Sequence, residues 1–228
     1  MKAKIFNLII LDESGSMDCV KQQTIAGCNE TINTIAAAQK QYADTQEHYI
    51  SIFAFQGDGS RPSRYIIKNV PAEKATHITP DDYEPYGMTP LNDAVGATLI
   101  DLKSYTRESP NSIGSVTIIT DGYENASQRY TRQQVASMIT ELKGMGWNFN
   151  FIGANIDVEA TAATFAIDNT LEFEQNEQGT THMFKRESSS RMRYYDRLNC
   201  CIDEDSCAPG EASFAERAAK ASENFFEK

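Results

Sequence analysis

The segment Ile5 to Leu11 is apolar at nearly every position and stops abruptly at Asp12-Glu13. A strand that alternates apolar and polar residues has one wet face, whereas a continuous short apolar run suits a strand covered on both faces in a parallel sheet. This one run constrains the chain to an α/β architecture, because parallel neighbours need long crossover connections. The sequence supplies them. Val20 to Tyr42 carries Val20, Ile25, Cys28, Ile32 and Ile35 at helical spacing, and a second strand follows at Tyr49 to Phe55.

After the turn-rich residues 56–60, Arg64 to Val70 predicts a third strand whose short connection favours antiparallel pairing. Pro71 to Pro90 reads as a loop, Leu91 to Tyr105 as a helix and Ser115 to Thr120 as a fourth, buried strand. A helix over Thr131 to Lys143, a strand at Asn148 to Gly153, a helix over Asp157 to Ile167 and a short strand at Thr170 to Phe173 follow. A last helix is expected between Thr180 and Leu198. The pattern predicts a Rossmann-like, doubly wound, mostly parallel six-stranded sheet of order 3-2-1-4-5-6, with one antiparallel edge strand and helices on both faces. One domain over residues 1–199 is expected, followed by an acidic, partly helical tail over 200–228, with docking back on the domain the favoured fate of that tail.

The strongest chemical signal lies where the first strand ends. In Asp12-Glu13-Ser14-Gly15-Ser16, a carboxylate and two hydroxyls alternate on a loop, and their spacing lets three oxygens converge. Thr89, in Gly87-Met88-Thr89-Pro90-Leu91, precedes a helix, and Asp121, in Thr120-Asp121-Gly122, ends the fourth strand. In the expected sheet order the first and fourth strands are neighbours, and a crevice opens beyond their carboxyl ends. Two carboxylates and three hydroxyls are hard oxygen donors. They suit a divalent cation such as Mg²⁺, and an incompletely neutralised ion there can accept a carboxylate from another molecule.

These residues resemble the metal-ion-dependent adhesion site of von Willebrand factor type A domains, over about residues 4 to 175 or 198. Asp12, Ser14 and Ser16 match its Asp-x-Ser-x-Ser, Thr89 its threonine and Asp121 its later aspartate, in the family's order. The resemblance implies Mg²⁺ or Mn²⁺ held by Ser14, Ser16 and Thr89 with Asp12 and Asp121 direct or through water, and a protein partner offering an acidic side chain. The chain looks more like the stand-alone intracellular members of bacteria and phages than like the extracellular adhesion members. A partner-binding rim of Glu13, Tyr86, Met88, Tyr123 and Glu124 is expected.

A binding module is therefore the expected function, not an enzyme. The alternative is a Mg²⁺-dependent phosphatase or other hydrolase using Asp12 as nucleophile, but the position two residues on holds Ser14, which is no general acid at neutral pH. Gly-x-Ser-x-Gly and phosphate-cradling Gly-rich loops are missing. The formal charge of −11 disfavours nucleic acid, although Lys185 to Arg197 holds five bases against two acids and is expected to be a solvated face. Cys19, Cys28, Cys200, Cys201 and Cys207 are odd in number and form no CxxC pair. With no apolar stretch of membrane-spanning length, a cytoplasmic setting without membrane attachment is expected. The three histidines share no motif, and surface or strand-end positions are expected for them.

Overall fold

The computed structural model describes residues 2–57, 61–107, 111–203 and 213–226. Strand β1 (Ala3–Asp12) is buried along almost its whole length and lies parallel to both β2 (Gln46–Phe55) and β4 (Ser112–Thr120). Both faces of this central strand are buried, so its apolar residues need not alternate. Strand β3 (Arg64–Pro71) is antiparallel to β2, while β5 (Asn148–Gly153) and β6 (Asn169–Glu172) continue the parallel side. The order is β3-β2-β1-β4-β5-β6, as the sequence predicts.

Helix α1 (Lys21–Gln41) packs on α5 (Glu177–Asp203), and α2 (Leu91–Arg107) packs on α3 (Arg132–Lys143). The helix α4 (Val158–Ala163) starts where Asp157 caps it by accepting the Ala160 N–H at 2.9 Å, and it ends short of its sequence pattern, ahead of Ala166 with a left-handed φ of 58°. The core is continuous, with Ile10, Phe55, Val116, Ile118, Phe151 and Ile152 inside the sheet layer.

The last helix differs most from expectation. It begins at Glu177 and runs 27 residues to Asp203, past the expected end at Leu198. Beyond it, α6 (Phe214–Ser222) is capped by Ser213 and Glu216 and packs against α5 and β5. Phe225 is fully buried, and the Asn169 side chain bridges to the Ser222 carbonyl at 2.9 Å and the Phe225 N–H at 3.1 Å. Residues 204–212, including Cys207, lie outside the described residues.

The basic stretch is a solvated face only in part: Lys185 and Arg193 are exposed, but its other three bases turn inward. Arg191 is fully buried and pairs with Glu187, and it donates to Thr117 Oγ1 at 2.9 Å. Arg186 and Arg197 each donate at 2.8 Å to carbonyls of the chain's end, Phe226 and Ala221. His48 also departs from expectation: it is buried in β2, where desolvation and nearby Arg191 push its imidazole down to about 3. His182 is exposed, and His77 is bonded to Asn33 Oδ1 at 2.9 Å. Among the described residues no helix is long and apolar enough to cross a membrane.

Candidate metal centre

The carboxyl ends of β1 and β4 bring the oxygen donors together. Asp12, the last residue of β1, is fully buried, and its Oδ1 accepts the Ser14 N–H at 2.8 Å. Such an aspartate-to-backbone bond two residues on turns the chain out of the sheet and aims both serines at one point. Ser14 Oγ and Ser16 Oγ lie 3.2 Å apart, and Ser16 Oγ donates to Asp121 Oδ1 at 2.8 Å. Thr89 reaches the same place from the loop before α2: a β-carbon added at Gly122 would stand 3.3 Å from Thr89 Oγ1. Gly122 is thus the residue type that leaves the threonine hydroxyl room beside Asp121.

Electrostatics distinguish this cluster from an ordinary capped turn. Asp12 and Asp121 are both buried, and among the described residues neither forms an ion pair with Lys, Arg or His. Burial pushes the Asp12 carboxyl up to about 7, against the lowering effect of the Thr120 hydroxyl and the Ser14 amide, with the charge of Asp121 adding to the rise. Asp121 is raised as well, chiefly by burial. Two uncompensated carboxylates in one buried place, with three hydroxyls beside them, fit a hard divalent cation. No cluster of three or more His, Cys, Asp or Glu side chains suited to a metal occurs among the described residues, so the donor set here depends on hydroxyls.

Sequence reasoning did not find four supports of the site. Thr120 Oγ1 donates to Asp12 Oδ2 at 2.5 Å, and the buried Tyr83 hydroxyl donates to the Asp12 carbonyl at 2.6 Å. Asn125 holds Thr89 on both sides, accepting its N–H at 2.8 Å and donating its own N–H to the Thr89 carbonyl at 3.1 Å. Gln175, just after β6, donates to Asp121 Oδ2 and, at 2.7 Å, to the Ser16 carbonyl. Thr120 was signalled by its place beside Asp121; the other three come from loops with no motif of their own.

Two residues expected on the rim are not there. Glu13 is fully buried, its two oxygens gripped by Arg64 at 2.6 and 3.0 Å, because the residue between two ligands points back toward β3. Glu124 is spent on the start of α2 and its own loop, accepting N–H groups of Asn92 at 2.7 Å, Ala126 at 2.8 Å and Ser127 at 2.7 Å. Tyr86, Met88 and Tyr123 are exposed by 63%, 51% and 57%. They are three of the five large apolar side chains that the described residues expose, and all three flank the donor loops.

Neither a protein-family model nor a curated protein matches the sequence. Solved structures do match. A von Willebrand factor type A structure from Catenulispora acidiphila superposes with a TM-score of 0.55 over 84% of this chain and 43% of its own, at 14% identity. The fold is that of a type A domain. The pilus adhesin SpaC from Lactobacillus rhamnosus GG matches at 0.62 over 86% of this chain and 30% of its own, with 10% identity. Proximal thread matrix protein 1 from the mussel byssus, with a zinc-occupied MIDAS motif, matches at 0.55 over 81% and 47%, with 13% identity. The chain spans less than half the length of each of these three. At such identities the likeness establishes the type A fold alone.

Proposed function

We propose that this type A domain is a divalent-cation-dependent protein-binding module. Ser14, Ser16 and Thr89 would hold Mg²⁺ or Mn²⁺ together with Asp12 and Asp121, and the bound cation supplies a positive centre that accepts a carboxylate oxygen from a partner protein. The observation that carries the reading is the pair of buried carboxylates, Asp12 and Asp121, with no basic side chain paired to them among the described residues and three hydroxyls alongside. The chain's own groups orient the donors: Thr120 and the Ser14 amide fix Asp12, Ser16 and Gln175 fix Asp121, and Asn125 fixes Thr89. Tyr86, Met88 and Tyr123 form the surface around the acidic contact, where aromatic and methionine side chains anchor a partner. No bond is made or broken in this reading. The metal-occupied motif in the byssus protein and the adhesin's fold give it indirect support. Four free cysteines among the described residues agree with a reducing, intracellular setting.

Selection of displayed peptides on the immobilised full chain tests it. In Mg²⁺ the retained peptides are expected to share an Asp or Glu, to be released by chelator, and to lose binding when that residue becomes Asn or Gln. Retention indifferent to chelator contradicts the proposal. Mg²⁺-dependent turnover of a phosphate ester, lost in Asp12→Asn, would replace it with the hydrolase reading.

A further inference from the structure

Resting on the cation-binding reading above, we propose that Arg64 on the antiparallel strand β3 is a positioning residue, which sets the cation affinity from outside the site by fixing, through Glu13, the loop that carries Thr89. Thr89 is the donor whose place is least determined by the sheet. Asp12 and Asp121 sit on or next to neighbouring strands, whereas Thr89 ends the long connection after β3.

That connection is fastened to the Asp12-to-Gly15 segment at four successive points. The Tyr83 hydroxyl donates to the Asp12 carbonyl at 2.6 Å, and the Glu84 N–H donates to Glu13 Oε1 at 2.6 Å. The Tyr86 N–H donates to the Glu13 carbonyl at 2.8 Å, and the Gly15 N–H to the Gly87 carbonyl at 3.2 Å. Glu13 supplies two of these points, one through its side chain.

A carboxylate buried there needs a cation opposite it. Arg64 provides this with a two-pronged grip at 2.6 and 3.0 Å, and its Nη2 also donates to the Asp82 carbonyl at 2.6 Å, so one guanidinium holds both the carboxylate and the loop. Arg61 adds bonds of 2.9 Å to the Asp81 carbonyl and the Glu84 carboxylate. None of these groups is a cation donor in the proposed set. Their effect on the ion passes through the placement of Thr89.

The test titrates Mn²⁺ into the full chain and follows the free ion by electron paramagnetic resonance, with circular dichroism confirming that each variant is folded. Groups that orient metal ligands change affinity by about 10-fold to 100-fold when removed, and Arg64→Met is expected to weaken binding within that range. Arg64→Lys should fall between the two, since one ammonium cannot reproduce the fork. In a Thr89→Ala background, Arg64→Met should cost less than about twofold, because the pair shares one route to the ion. If Arg64→Met does not fold, Arg64→Lys takes its place in the same cycle.

Binding within about twofold of wild type in the Arg64 variant, or an equal loss with and without Thr89, overturns the proposal. Wild-type binding that Asp121→Ala abolishes while Arg64→Met leaves it intact overturns this inference alone. Absence of Mn²⁺ binding in the wild type overturns the cation reading and this inference with it.

Discussion

Asp12 concentrates the chemistry of the site in one side chain. Its carboxyl is raised to about 7 mainly by burial, so between about pH 4 and 7 the folded chain keeps a proton that the unfolded chain has released. Stability in chelator therefore falls as pH rises through that window, by up to about 4 kcal/mol from this group, and levels off above it. Denaturant unfolding at pH 5 and pH 8 should show this fall in the wild type and a clearly smaller one in Asp12→Asn. Equal slopes in the two proteins would show that Asp12 does not carry the proton. Residues of this kind were legible in the sequence because an Asp-x-Ser-x-Ser turn records its own geometry. Glu13 was not: its neighbours face the site, and only β3, fifty residues away in sequence, shows that its carboxylate turns inward to Arg64.

At the scale of elements, the sequence revealed what periodicity records and missed what polar stripes conceal. Apolar runs gave β1 and β4, and the short link after β2 gave the antiparallel β3. Within α5 the buried stripe includes Glu187 and Arg191, which satisfy one another, Thr31 of α1 and Thr117 of β4 rather than water. The same stretch, read as charge alone, looked like an exposed basic face. At its far end the chain returns through α6, where Phe225 packs on Tyr194 with ring centroids 5.7 Å apart. Phe225→Ala should cost about 3–5 kcal/mol in a denaturant titration, since the side chain is fully buried. A loss below about 1 kcal/mol would mean that the returning segment contributes little to the fold.

For the whole molecule, topology converts distant residues into one site. The reversal of strand order at β1 and β4 opens the crevice where Asp12 and Asp121 meet, and the crossing connection delivers Thr89 to it. The net charge of −11 decided less than where two of its carboxylates lie. A cation bound only by the folded chain raises stability by mass action, about 2.7 kcal/mol at a hundredfold excess over its dissociation constant. For a chain of this size that is a rise in Tm of roughly 5–10 °C. Thermal melts of wild type, Asp12→Ala and Asp121→Ala, each in chelator and in saturating Mg²⁺, test the central claim most directly. The account predicts a rise of that order in the wild type and almost none in either variant; equal shifts in all three proteins, or no shift in the wild type, would contradict it.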